Sequence, residues 1–139
     1  VNRDRSNARL LQNLRNLNGI RLVFGEALAN LDSDRFGRNA QITVCVNDLI
    51  LTELVPSIRH RKETELEHLL LQVPKLSMSI DWTSLISMQA ENLKHGVNRV
   101  GIPDLMIAQN AIQNDLALYS LDKHFSLMKE SLPLKLFEG

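Results

Sequence analysis

Short apolar segments alternate with polar and turn-forming residues along the last two-thirds of the chain. The segment 42–46 is rich in β-branched residues and ends at an Asn-Asp pair, which predicts a buried strand. In 76–80, three apolar residues alternate with two serines, the pattern of a half-buried strand. The predicted strands cover 42–46, 76–80, 117–121 and 134–137.

Helical spacing of leucines and capping residues predict helices between these strands. The predicted helices cover 48–55, 65–71, 81–96 and 103–112, and a helical turn follows Asp122. Asp48 and Asp81 have the side chains of N-caps. Pro56 is expected to weaken or end the first helix, and the third is expected to end near Gly96. The fourth helix is strongly apolar and opens with a Pro-Asp pair, which suits the first turn and the positive end of the helix dipole.

This order of elements predicts a fold class. Strands that alternate with helices are typical of a three-layer α/β/α arrangement around a mostly parallel sheet. The first part of the chain is less clear, because the leucines of 10–17 suit a helix while 20–24 either continues it or forms a strand. With 139 residues, one domain is expected over 1–139.

The net charge of zero argues against a general nucleic-acid binder, but it hides an asymmetry. Residues 1–41 contain seven Arg, no Lys and four acids, whereas 42–139 contain nine basic and twelve acidic residues. The shift indicates either a basic arm that contacts RNA or a partner, or an N-terminal part of different sequence origin.

Cysteine content and hydropathy bear on the cellular location of the protein. Cys45 is the single cysteine, so neither an internal disulfide nor a thiolate zinc site is expected, and a buried strand position makes it inert. No apolar segment approaches the length of a membrane span, and the chain does not open with a signal sequence. These features predict a cytoplasmic protein that does not bind membranes.

Three acids are candidates for chemistry because each lies in apolar sequence, where an ionised carboxylate is costly unless it is paired or binds a cation. Glu53 follows the strand 42–46 on the next helix, Asp104 opens the fourth helix, and Asp122 ends the strand 117–121. Carboxylates that converge without a His or Cys cluster favour Mg²⁺ or Mn²⁺. Taken singly, each of them also fits a helix cap or a surface acid.

Three segments together resemble PIN-domain nucleases, and most closely the VapC toxins of bacterial toxin–antitoxin pairs. They are VNDLILTEL (46–54), GIPDLMIA (101–108) and YSLDKHF (119–125), and the resemblance covers about 42–138. It implies a PIN-like fold and a Mg²⁺- or Mn²⁺-dependent endoribonuclease that hydrolyses RNA phosphodiesters. By resemblance, Glu53, Asp104 and Asp122 are the catalytic metal ligands.

The first acidic motif of that family, typically Asp-Thr-Ser or Asp-Thr-Asn after a strand, has no clean copy here. Asp4 has the Asp-x-Ser frame and is the tentative fourth metal ligand, although only three residues precede it. Asn16-Leu17-Asn18 matches the Asp-x-Asn frame with an amide in place of the acid, and Asp32 and Asp34 lie too near the second motif.

The resemblance also implies partners: an RNA substrate, an inhibitory VapB-like antitoxin and a second copy in a homodimer. An alternative is a catalytically impaired PIN-like module that keeps the antitoxin-binding surface, and a third is a generic α/β domain whose acids are caps. The basic run 59–62 either meets RNA near the metal or is a solvated helix end. We expect His124 to pack or to bond the backbone, and Trp82 to lie in the core.

Overall fold

A computed structural model describes residues 21–24, 44–120 and 122–137 of the chain. The strands in these ranges are Arg21–Phe24 (β1), Val44–Cys45 (β2), Ala117–Ser120 (β3) and Lys135–Leu136 (β4). The helices are Asp48–His60 (α1), Thr64–Leu71 (α2), Trp82–Lys94 (α3), Ile102–Gln113 (α4) and Lys123–Met128 (α5). Strands and helices are interspersed, so the expected α/β class is confirmed, whereas the stacking in three layers stays a prediction.

The strands form one mixed sheet with the order β2-β1-β3-β4. β3 and β4 pair in parallel, but β1 is antiparallel to both β2 and β3. The strands β2, β3 and β4 therefore all run in one direction, and β1 runs in the opposite one. The expectation of mostly parallel pairing is wrong for the described sheet, because it rested on the alternation of elements after residue 42. β1 precedes that region, and its own pattern carries no information on direction.

Residues 76–80 do not form the predicted strand. Just before this segment, Lys75 forms an isolated parallel bridge with Val46, which directly follows β2. Beyond that bridge, backbone carbonyls of the segment accept hydrogen bonds from amide side chains of α4. Asn110 donates to Ser77 (3.0 Å), Gln113 to Ser79 (2.9 Å) and Gln109 to Asp81 (2.9 Å). These amides replace the partner strand that the period-2 pattern requires.

The first helix differs from its prediction at both ends. Its N-cap is Asn47 rather than Asp48, because the Asn47 side chain accepts a hydrogen bond from the Ile50 N–H at 2.8 Å. Pro56 does not end it, since α1 continues to His60. The turn after the proline stays helical because Ile58 is fully buried, and that burial offsets a cost of about 3 kcal/mol for an internal proline.

The fourth helix lies deep in the core, which explains its apolar sequence. Its residues from Leu105 to Ala111 are buried with the exception of the half-buried Met106. Ile50, Leu54 and Ile58 of α1 and Phe125 of α5 belong to the same buried cluster. A helix buried around most of its circumference has few ways to shift, so the first turn of α4 is a fixed platform.

The third helix has the predicted capping residues, but its tryptophan is not buried as predicted. Asp81 accepts a hydrogen bond from the Ser84 N–H at 3.1 Å, and Gly96 beyond the other end has a φ of 76°, the left-handed conformation that favours glycine. Trp82, however, is 62% exposed. The prediction that it lies in the core is wrong because α3 buries a different face, with Leu85 and Met88 at its centre.

Burial of Cys45 leads to a prediction on alkaline stability. Burial raises the pKa of the Cys45 thiol from 9.0 to about 11, because desolvation disfavours the thiolate. The unfolded chain therefore ionises first, and the contribution of the thiol to stability is complete below pH 9 and is lost as the pH rises to 11. Between pH 9 and pH 11 we expect the free energy of unfolding to fall by about 2 kcal/mol more than in Cys45→Ala, measured by urea denaturation. Parallel curves for the two proteins would contradict this.

Candidate metal centre

The directions of the strands bring two polar residues to one edge of the sheet. β2 and β3 both oppose β1 and therefore end at the same edge, where Asn47 follows β2 and Asp122 lies just beyond β3. Asp122 is the N-cap of α5, and its Oδ1 accepts the His124 backbone N–H at 2.9 Å. Its own N–H donates to the Ser120 hydroxyl at 3.0 Å. The carboxylate of Asp122 is thus held in place by the start of the helix.

Asp104 reaches the same place from the first turn of α4. Asp104, Asp122 and His124 each offer one ligand atom, and these atoms all lie within 4.8 Å of one another. All three residues are partly buried. The Nδ1 atom of His124 is 2.9 Å from Oδ1 of Asp122, and the two side chains are 32% and 19% exposed. We call these three residues the Asp-Asp-His cluster.

The donor set of the Asp-Asp-His cluster fits a divalent cation. Two carboxylates from different elements supply negative charge, and Mg²⁺ sites in proteins use one or two carboxylates together with waters. An imidazole adds a nitrogen donor, which first-row transition metals accept more readily than Mg²⁺ does. The residues present therefore suit Mg²⁺ or Mn²⁺, and their role as metal ligands stays a prediction.

Glu53 and Asp4 do not join this cluster among the described residues. Glu53 is half-buried on α1 and forms an interaction of its own, but it is not a member of the group. It lies six residues, or about 9 Å of helix axis, beyond the N-cap Asn47 at the sheet edge. Asp4 lies outside the described residues, and so do the Asn16–Asn18 frame and the 32–34 acids.

The direction of β1 bears on the first acidic motif. In the PIN-domain family, the acid of the first motif follows a strand that ends at the metal edge. In this chain β1 runs in the opposite direction. Arg21 pairs with Ser120 and Phe24 with Ala117, so β1 begins at the edge that carries the cluster and ends at the opposite one. Among the described residues, the strand that lies between β2 and β3 therefore begins at this edge and does not end there as the first motif requires.

His124 has a contact that the sequence analysis did not predict. Its expected role was packing or a backbone bond, but its ring contacts the Asp122 carboxylate instead. The sequence carries a usable signal, because an N-cap acid and the second residue of the helix lie on the same first turn. A histidine two positions after a capping aspartate can therefore fold back onto the carboxylate.

The basic run 59–62 lies away from the cluster. Its four residues are exposed, and the Arg59 Nε donates to Glu67 of α2 at 2.7 Å. Asn47 marks the opposite end of α1, about 18 Å away along the helix axis. Of the two interpretations of this run, the solvated helix end agrees with its position.

Buried amides join the two helices that begin near the cluster. Asn47 is fully buried, and its Nδ2 donates to Oδ1 of Asn110 at 2.9 Å. Asn110 is itself 2% exposed. Because Asn47 starts α1 and Asn110 belongs to α4, this bond fixes the sheet edge relative to the helix that carries Asp104.

Comparison of the chain with protein-family models, with curated proteins and with solved structures gave no match. Among the described residues, none of the helices has the length and apolar character needed to cross a membrane.

Proposed function

We propose that the protein is a metal-dependent endoribonuclease of the VapC type, with a three-layer PIN-like fold. The observation that carries the proposal is the approach of Asp104 and Asp122, from α4 and from the end of β3, to within 4.8 Å together with His124. Two carboxylates at one sheet edge repel each other, and a bound cation offsets this repulsion. Carboxylate ligands are also the ones that a phosphodiester-cleaving Mg²⁺ or Mn²⁺ site requires.

In this proposal each residue of the edge has a defined task. Asp104 and Asp122 hold the ion, whose chemistry when bound is to polarise a phosphodiester and to make water more acidic. Lys123 lies between Asp122 and His124 in the sequence and is exposed. Its ammonium group can therefore attract a backbone phosphate of RNA. The cap bond to α5 keeps the Asp122 carboxylate oriented before RNA arrives.

The proposal includes an antitoxin, a homodimer and a cytoplasmic location. An exposed apolar surface supports the protein partners: Trp82, Ile86 and Leu93 are 62%, 73% and 60% exposed. Their spacing places them within about 40° of one another around α3. An amphipathic helix of an antitoxin is the kind of partner that covers such a stripe.

One alternative is favoured by specific observations, namely the catalytically impaired module that keeps the partner surface. Among the described residues, β1 begins rather than ends at the metal edge, and Glu53 is not a member of the Asp-Asp-His cluster. Each carboxylate that stays outside the cluster removes one negative charge and one oxygen ligand. A weaker cation site of this kind retains the fold while lowering turnover.

The test is cleavage of labelled RNA by the purified chain. We expect cleavage in Mn²⁺, its loss in excess EDTA, and its return when Mn²⁺ is restored, because the ion supplies the Lewis acid. Cleavage that persists in EDTA would refute a metal-dependent nuclease. Binding of Mn²⁺ without cleavage of any RNA in a mixed pool would refute the nuclease and support the binding module.

A further inference from the structure

We propose that His124 is a direct nitrogen ligand of the bound cation and that it makes the site prefer Mn²⁺ to Mg²⁺. This inference rests on the metal site of the proposed function, and it adds a ligand that neither the resemblance nor the sequence assigned. It concerns an imidazole that already lies among the carboxylates, since His124 is one of the three members of the Asp-Asp-His cluster.

The distance within the cluster is that of two neighbouring ligands. Nδ1 of His124 and Oδ1 of Asp122 are 2.9 Å apart. Two adjacent ligands of an octahedral cation with bonds of about 2.1 Å lie about 3.0 Å from each other. Nδ1 and Oδ1 therefore need almost no movement to bind one ion, which would take the place of the proton between them.

The surroundings of His124 support the same role. The ring is 32% exposed and Asp122 is 19% exposed, so the pair is sheltered but still reachable from solvent. Asp104 brings a second carboxylate to within 4.8 Å of both. The α5 cap holds the backbone of His124 beside Asp122, since the His124 backbone N–H donates to the same Oδ1.

Ligand chemistry then predicts selectivity. Mg²⁺ prefers oxygen ligands and gives up its waters reluctantly. First-row transition metals, a series that begins with Mn²⁺, accept imidazole nitrogen more readily. With one nitrogen among three protein ligands, the site should lose more affinity for Mn²⁺ than for Mg²⁺ when the imidazole is removed.

A different role for His124 is that of an orienting group, in which Nδ1–H donates to Asp122 and the ion binds only oxygen. The two roles differ in one observable. A ligated nitrogen couples directly to the electron spin of Mn²⁺ and appears in the electron spin echo modulation of the Mn²⁺-loaded chain. A nitrogen held behind the carboxylate does not show this direct coupling.

The experiment compares the full chain with His124→Asn and with the control His95→Asn. His95 is matched because its Nδ1 also lies near a carboxylate, that of Glu91 at 3.7 Å, but at the exposed C-cap of α3. Among the described residues it belongs to no group of possible metal ligands. We expect His124→Asn to weaken Mn²⁺ binding about 10-fold or more and Mg²⁺ binding less than about 3-fold, measured by titration calorimetry. It should also abolish the nitrogen coupling, whereas His95→Asn should change neither readout.

Failure of this inference differs from failure of the proposed function. If the wild-type chain binds Mn²⁺ without direct nitrogen coupling, or if His124→Asn weakens both ions equally, His124 is not a ligand while the metal site stands. If the wild-type chain binds neither ion, both proposals are refuted. Unfolding curves without metal verify that His124→Asn is folded, since asparagine keeps a donor for Asp122.

Discussion

Replacing Asp104 with asparagine should slow RNA cleavage about 100-fold or more, which corresponds to about 3 kcal/mol of lost transition-state stabilisation. The substitution keeps the shape of the side chain and removes one of the two charges that attract the cation in the Asp-Asp-His cluster. Asp104 is a cleaner choice than Asp122, because Asp122 also caps α5. Initial rates on one labelled RNA at saturating Mn²⁺, together with the Mn²⁺ dissociation constant, measure the effect.

The matched control for Asp104→Asn is Asp115→Asn. Asp115 lies in the exposed turn after α4 and pairs with Lys135, so the same chemical change occurs away from the cluster. Its φ of 52° suits asparagine as well as aspartate. We expect the control to keep the wild-type rate. Equal rates for Asp104→Asn and the wild type would contradict the assignment of Asp104 as a metal ligand.

The stability of the metal-free Asp104→Asn protein separates a site effect from unfolding. Asp104 lies in the first turn of α4 and takes part in an interaction of its own. Removing its charge should therefore lower the free energy of unfolding without metal by about 0.3–1 kcal/mol. A loss of activity in a variant that stays folded marks an effect on the site, whereas a loss of several kcal/mol would mean that Asp104 is needed for folding.

Truncation of Asn110 should destabilise the protein by about 3–4 kcal/mol. Asn110→Ala removes the acceptor of the buried Asn47 amide and the donor to Ser77. An unsatisfied buried donor costs about 1–3 kcal/mol, and the vacated volume at a site that is 2% exposed adds a cavity cost. Urea denaturation followed by circular dichroism gives the free energy of unfolding.

Gln113→Ala is the control for this prediction, because it lies on the same helix and its amide also donates to the 77–81 segment, at Ser79. Gln113 is exposed, so water replaces the lost hydrogen bond and no cavity forms. We expect a change of less than about 1 kcal/mol, the usual range for surface substitutions. Similar losses for the two variants would show that burial of the Asn47–Asn110 bond is not what makes it important.

Local signals in the sequence predicted the described elements well where the cause was itself local. Asp81 as a cap, Gly96 after α3 and the Pro-Asp start of α4 depend on backbone groups within a few residues, so residue type and spacing are sufficient. The meeting of Asp104 with Asp122 does not follow from these local signals. It was expected from the family resemblance, because helix starts alone do not bring two residues together. The predicted strand 76–80 failed because its partners are amides of α4, which a period-2 pattern cannot indicate.

The sequence by itself determined most of the helices and the strands at 44–45, 117–120 and 135–136, and it singled out two acids that lie together. Tertiary structure decided the direction of β1, which acids belong to the cluster, and the approach of His124 to Asp122. Strand direction depends on which edges are free for pairing, and that choice is made by residues far apart in the chain. Helix caps need only their own first turn, which is why periodicity and capping can be read from sequence while convergence at a site cannot.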